Sequence, residues 1–153
     1  MTDFASIDPS EPQWFLPTFA LMWLSISALL SLLSGWRALA SQFPASDSIQ
    51  GDHFRFVSGS MGIPFFPVNY GNCLFVTVNE EGFRVAILFL FRFLTPPLFI
   101  PWLQVESVTE KRFLFMRYAA IRIRGSWPIV SLYGKAGTRM LEGYAKVSDM
   151  RAL

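Results

Sequence analysis

The longest apolar stretch of the chain is residues 14–33, WFLPTFALMWLSISALLSLL, which contains no charged residue. A helix of about twenty residues rises roughly 30 Å, which matches the hydrocarbon core of a bilayer. In lipid, the backbone groups of such a stretch must be satisfied within the segment, which favours a helix. The pattern therefore predicts a transmembrane helix over residues 14–35. A buried helix of a soluble protein is the alternative.

The charges around this helix predict its orientation. Residues 1–13 form an acidic tail without Lys or Arg, unlike the basic start of a removable signal peptide, so we expect a retained anchor. All 13 Lys and Arg residues follow the helix, beginning with Arg37. This bias predicts a single-pass protein with its N-terminus outside and its C-terminal domain in the cytoplasm. We expect Trp14, Trp36 and Arg37 to lie at the two membrane interfaces.

Small residues recur along one side of the predicted helix. Ser27, Ser31 and Gly35 are spaced four residues apart, which places them on the same helix face. Such a face lets another helix approach closely, so these three residues are candidates for packing against a second membrane protein or a second copy. The alternative is that the serines bond carbonyls of their own helix.

Behind the anchor the apolar pattern changes from helical to alternating. Residues 36–53 are predicted to form a juxtamembrane helix ending at Pro44 and then a polar linker. In the remainder, short apolar runs are separated by turn residues, and Gly82 is expected to take a positive φ in a hairpin loop. We predict strands at residues 54–60, 73–79, 83–93, 98–109, 112–124 and 129–133, a loop at residues 62–72, and an amphipathic helix at residues 137–152.

The run VAILFLF at residues 85–91 allows a second reading. It is continuously apolar for about seven residues, which suits a strand buried on both faces, whereas a spanning helix needs about twenty. A second membrane segment over residues 85–102 would have to contain Arg92 and three prolines. We therefore favour the strand.

These elements predict a membrane-anchored α+β fold. One N-terminal transmembrane helix is followed, over residues 54–153, by a mainly antiparallel β domain with a C-terminal helix, resembling a pleckstrin-homology-like (PH-like) or GRAM-like roll or barrel. The segments GWRALA, FVSGSMG, NYGNCL, NEEG, ILFLFRF and PPLFIPW also resemble an uncharacterised family of small bacterial membrane proteins with one N-terminal transmembrane helix. The resemblance covers residues 35–105. It implies this layout and the bacterial inner membrane as the location, and it carries no activity.

Composition and charge agree with a protein at a membrane. The 153 residues are 52% hydrophobic and 16% charged, fewer charges than the quarter typical of soluble domains. From residue 111 to the end, nine basic residues face only two acidic ones, which predicts contact with anionic lipid or a protein partner. The candidate residues are Lys111, Arg112, Arg117, Arg122 and Arg124. The alternative is an ordinary solvated face.

Residues for catalysis are scarce. The single histidine, His53, and the single cysteine, Cys73, are the one imaginable nucleophile and base, but Cys73 opens an apolar strand that favours a structural thiol. No metal-ligand spacing or phosphate loop is present, so no catalytic residue, metal or cofactor is predicted. Residues 69–73 are read as a structural turn, with a small-molecule contact as the alternative.

The sequence therefore predicts a non-enzymatic, membrane-tethered interaction module. Its basic β domain is expected to contact anionic lipid or a membrane-protein partner. The alternative is an accessory subunit of a larger membrane complex, docked through the helix face of Ser27, Ser31 and Gly35. An enzyme ranks third, and no nucleic-acid partner is expected because no aromatic platform accompanies the basic residues.

Overall fold

A computed structural model describes residues 12–45, 49–92 and 95–153. The chain forms an apolar N-terminal helix, a curled seven-stranded antiparallel sheet and a C-terminal helix. The helices are α1 (Pro12–Leu33), α2 (Trp36–Gln42) and α3 (Gly134–Ala152). The strands are β1 (Asp52–Ile63), β2 (Phe66–Val78), β3 (Gly82–Ile87), β4 (Leu98–Pro101), β5 (Val105–Phe113), β6 (Met116–Ile123) and β7 (Ile129–Tyr133). The acidic tail predicted for residues 1–13 lies almost wholly outside the described residues.

The strand order is β4-β3-β2-β1-β7-β6-β5, so two runs of consecutive strands join where β1 pairs with β7. One face of the curled sheet and α3 enclose the apolar core. Trp102 lies at the centre of this contact, directly below Gly143 of α3, and its indole Nε1 donates to the Asn79 carbonyl oxygen at 2.9 Å. The predicted C-terminal helix is confirmed and begins three residues earlier than expected.

The loop predicted for residues 62–72 is wrong. β1 continues to Ile63 and β2 starts at Phe66, so a tight hairpin occupies this region. The two prolines are tolerated for different reasons. Pro64 lies in the turn, and Pro67 lies in a part of β2 that β3 does not reach, where a missing N–H faces an open edge.

The run at residues 85–91 is a strand only in its first part. β3 is buried on both faces up to Ile87, as predicted, and a short 3-10 turn, Phe89–Phe91, follows with Phe89 exposed. Within the described residues, α1 is the one helix long and apolar enough to cross a membrane. The alternative of a second spanning helix is therefore not supported.

The turn between β2 and β3 lies where it was predicted, but it is stabilised by a different interaction. The Asn79 side-chain Oδ1 accepts hydrogen bonds from the backbone N–H groups of Glu81 and Gly82. Gly82 does not take the predicted positive φ. Glycine is needed there because a Cβ would collide with the Ile100 carbonyl oxygen on β4.

The predicted helix before Pro44 is present as α2, and residues 36–45 pack against the β domain. Leu39 and Ala40 of α2 are buried in the core, and the Phe43 carbonyl accepts a hydrogen bond from the Phe99 N–H at 3.1 Å. Pro44 also pairs with Leu98 of β4. The predicted boundary of the domain at residue 54 therefore moves forward to Trp36, with residues 46–48 outside the description.

Candidate functional site

The outer surface of α1 is apolar for most of its length. Residues Gln13–Leu33 have a mean hydropathy of 1.9, and only 6% of the apolar window is buried by the rest of the chain. Trp14 at its start and Arg37 just after its end are both exposed, as a role at a membrane interface requires. By length and composition, α1 can cross a bilayer.

Trp36 does not lie at an interface, contrary to the prediction. Its side chain is fully buried, its ring meets the Tyr70 ring edge-on at 5.6 Å, and its Nε1 donates to the Pro96 carbonyl oxygen at 2.7 Å. The residue therefore fixes α2 into the domain. Sequence reasoning missed this role because a tryptophan at a membrane interface and a tryptophan buried in the domain can both follow directly after an apolar stretch.

The face of Ser27, Ser31 and Gly35 is not free for another helix. Ser31 is 1% exposed, and Ser27 and Ser31 line a recess of about 430 Å³ between α1 and residues 69–73 of β2. Gly35 lies beyond the end of α1 in a turn with φ +74, with Trp127 and Pro128 packed over it. The small side chains therefore let α1 approach its own domain, which corrects the predicted helix-packing role.

Above this recess an aromatic pair joins α1 to the domain. The rings of Trp23 and Phe91 are stacked with their centroids 4.9 Å apart. Trp23 precedes the end of α1 by ten residues, which is about 15 Å along a helix. The turn Phe89–Phe91 thus lies beside the middle of the apolar segment.

Residues 69–73 form a bulged part of β2 and not a free loop. Asn72 has φ +51, and the Ser58 hydroxyl donates to its Oδ1 at 2.8 Å and accepts from its N–H at 3.1 Å. The Tyr70 hydroxyl is buried without a hydrogen-bond partner among the described residues. Burial raises the pKa of Tyr70, the nearby Ser34 side chain lowers it by a smaller amount, and the Ser34 hydroxyl donates to the Ser31 carbonyl and accepts from the Trp36 N–H.

His53 and Cys73 are not brought together. The His53 Nδ1 lies 2.9 Å from Thr77 Oγ1, and Thr77 is four residues, or about 13 Å, along β2 from Cys73. Burial raises the pKa of the Cys73 thiol and so disfavours the thiolate. This arrangement provides no nucleophile and base pair.

The five predicted basic residues fall into two groups. Lys111, Arg112 and Arg117 lie at the tip of the β5–β6 hairpin, where Arg112 and Arg117 are directly opposite each other. Arg122 lies about 17 Å further along β6 and Arg124 just beyond its end, where the Arg124 N–H donates to the Gln104 carbonyl oxygen. Arg117 also contacts Glu110 at 3.6 Å, and both side chains are mostly exposed.

The hairpin tip itself was missed by the sequence analysis. Residues 113–116, which we call the aromatic tip, have the sequence FLFM, and all four side chains are exposed, with Phe115 at 99%. Leu114 has φ +55 in the two-residue turn. A signal was present, because this uncharged run is preceded by Lys111 and Arg112 and followed by Arg117.

Residues 69–72 of β2 border two cavities. Residues 69–72 of β2 line the recess against Ser27 and Ser31 on one side. The same residues line an open cavity of about 780 Å³ on the other side, bordered by Phe113 and Met116. One short segment of β2 therefore contacts both the recess beside α1 and the cavity that Phe113 and Met116 border.

Comparison with known proteins adds no assignment. No protein-family model matches the chain, and no curated protein matches it.

Proposed function

We propose that this protein is a non-enzymatic, membrane-tethered interaction module. In this proposal α1 spans the membrane, which the resemblance implies is the bacterial inner membrane. The β domain lies on the cytoplasmic side and contacts anionic lipid, and its apolar turn Phe89–Phe91, which packs on the middle of α1, enters the lipid beside the helix. The observation that carries the proposal is the uncharged, exposed surface of α1 over a full bilayer thickness. The seven antiparallel strands followed by a helix support a PH-like or GRAM-like domain, an analogy of fold that does not by itself imply function.

Contacts between α1 and the domain support a position close to the membrane. The stacking of Trp23 on Phe91 holds an apolar turn of the domain beside α1, and Phe89 and Leu90 in that turn are exposed. Exposed apolar side chains next to a spanning helix are favourable where lipid covers them. The same contacts cover the serine face on which docking as an accessory subunit was predicted, so we favour contact with lipid.

Membrane extraction tests the anchor. The full-length protein should stay in the membrane pellet after alkaline carbonate treatment. The double variant Leu21→Arg, Leu24→Arg should be lost from the pellet, because each arginine near a helix centre costs about 3 kcal/mol of insertion. Leu103→Arg, at an exposed position on the domain, is the matched control and should remain in the pellet. Release of the unaltered protein by carbonate would exclude a spanning α1.

Thiol labelling tests the orientation. In a Cys73→Ser background, Thr2→Cys and Leu153→Cys place one thiol before or after the anchor. An impermeant maleimide added to intact spheroplasts should label the first and spare the second until the membrane is opened. The reverse pattern would place the domain outside.

A further inference from the structure

We propose that the aromatic tip, residues 113–116, enters the lipid layer of the membrane that α1 spans, and that Lys111, Arg112 and Arg117 bind anionic headgroups behind it. The inference rests on the proposed function and names a second point of attachment. It assigns the lipid contact to one hairpin, in place of the whole basic surface of the domain.

Four consecutive apolar side chains are exposed at the tip. Phe115 is 99% exposed, and the side chains of Phe113, Leu114 and Met116 are each more than half exposed. Placing this much apolar surface in water at the end of a hairpin is unfavourable, and such surfaces mark contact sites. Phe113 pairs with Met116 across the hairpin, so few backbone groups lose a partner when the tip enters lipid.

The spacing between the apolar and the basic side chains of the hairpin matches the layers of a membrane surface. Arg112 is three residues before Phe115, and Arg117 two residues after it, which places them about 7–10 Å behind the tip along the strands. Apolar groups of surface-bound segments lie about 5–10 Å below the headgroups. When the tip is at that depth, the basic side chains are at the level of the lipid phosphates.

A comparison with the second exposed hairpin of the domain also supports the inference. The β1–β2 hairpin provides an internal comparison. It also exposes aromatic rings, with Phe65 at 86%, but no charged residue occurs between Arg55 and Glu80.

The two hairpin tips also lie towards opposite ends of β7. Gly62, beside the β1–β2 tip, pairs with Ile129 at the start of β7. Tyr118, near the aromatic tip, pairs with Tyr133 at its end. The β1–β2 hairpin has no basic residue of its own beside its exposed rings, and it is the matched control.

Depth-dependent quenching in vesicles tests the inference on the full-length protein. In a Cys73→Ser background, Phe115→Cys, Phe65→Cys and Leu21→Cys are each labelled with an environment-sensitive fluorophore. The proteins are reconstituted into phosphatidylcholine vesicles with or without phosphatidylglycerol. Quenching is measured with nitroxide on the headgroup or on the acyl chain. Circular dichroism checks each fold, which these exposed positions should leave intact.

We expect the probe at position 115 to shift to the blue and to be quenched by acyl-chain nitroxide in vesicles that contain phosphatidylglycerol. The probe at position 65 should remain in water. Replacing Lys111, Arg112 and Arg117 together with Gln should reduce the quenching at position 115 several-fold, as should removing phosphatidylglycerol.

Three outcomes would overturn the inference. If position 21 is quenched and positions 115 and 65 are equally unquenched, the anchor stands and the tip does not insert. If position 21 is also unquenched, the proposed function fails with it. A blue shift at position 115 without lipid quenching would show that the tip is covered by protein.

Discussion

Trp23 of α1 stacks on Phe91 of the β3–β4 connection, with ring centroids 4.9 Å apart and an angle of 24° between the planes. The two residues belong to elements that the sequence places far apart, and their contact fixes α1 against the side of the β domain. Below it, Ser27 and Ser31 line the recess between α1 and β2. The domain therefore restricts the orientation of α1.

The Trp23–Phe91 pair should contribute a measurable coupling energy. We expect the effects of Trp23→Ala and Phe91→Ala on the free energy of unfolding to be non-additive by about 0.5–1.5 kcal/mol, because each substitution removes the same stacked contact. Urea unfolding of the full-length protein in detergent, followed by circular dichroism, measures this cycle. Phe89→Ala, in the same turn but exposed, is the control. Its effect on the free energy of unfolding should add to that of Trp23→Ala. Additivity of the first pair would mean that the rings do not interact in solution.

Gly35→Ala should destabilise the protein by about 1–2 kcal/mol or more. The φ of +74 is unfavourable for alanine, and the new Cβ meets Trp127 and Pro128. Gly71→Ala is the control, because its Cβ would meet nothing within 4 Å and its φ is not positive. We expect that substitution to be neutral or to stabilise by a few tenths of a kcal/mol. Equal effects in urea unfolding would contradict the turn described here.

Tyr70→Phe should stabilise the protein by about 1 kcal/mol, since it removes a buried hydroxyl that has no partner. Burial also raises the pKa of Tyr70 above its usual value of 10.0. As the pH rises, the Tyr70 hydroxyl therefore ionises in the unfolded chain before it does so in the folded protein. The wild-type protein should lose stability as the pH rises from about 10 through the pKa that Tyr70 has in the folded state. Tyr70→Phe should lose less over this range.

Tyr144→Phe is the control for that experiment. The Tyr144 hydroxyl donates to the Glu106 carbonyl oxygen at 2.9 Å, so its removal should destabilise by about 1 kcal/mol. Unfolding in urea as a function of pH measures both variants. Destabilisation by Tyr70→Phe would show that the hydroxyl has a partner in solution.

Cys73 should react slowly with iodoacetamide near neutral pH. Burial raises the pKa of its thiol, and only the thiolate attacks, so the rate should rise at a higher pH than for an exposed cysteine. The reference is Phe65→Cys in a Cys73→Ser background, measured under the same conditions. A pH profile of Cys73 equal to that of the reference would contradict burial of the thiol beside α1.

Local patterns were sufficient for the elements with strong periodicity. The apolar length of α1, the alternation in residues 73–79 and the spaced apolar residues of α3 each predict an observed helix or strand. The same kind of pattern failed at residues 62–72, because prolines indicate a loop unless the strand has an open edge. Whether β2 has an open edge depends on where β3 ends, which only the tertiary structure shows.

The candidate site was less predictable than the fold. Placing Arg112, Arg117 and Arg122 correctly requires knowing that the chain reverses at Leu114 and Phe115, a turn without Gly, Pro, Asn or Asp. Trp36 was assigned to the membrane because its distance in sequence from the apolar stretch is short. Its partner, the Pro96 carbonyl, is sixty residues away, and only the folded chain brings the two together.

The turn between α1 and α2 has a mechanical consequence. Only Ser34 and Gly35 separate the two helices, both are buried, and Trp36 follows directly in the domain core. A hinge needs residues whose backbone dihedral angles can change freely, and the two residues of this junction are packed in the domain. In the proposed arrangement, tilting of α1 in a thinner or thicker bilayer would tilt the domain with it as one rigid unit. The depth of the aromatic tip in the lipid would then change with the thickness of the membrane.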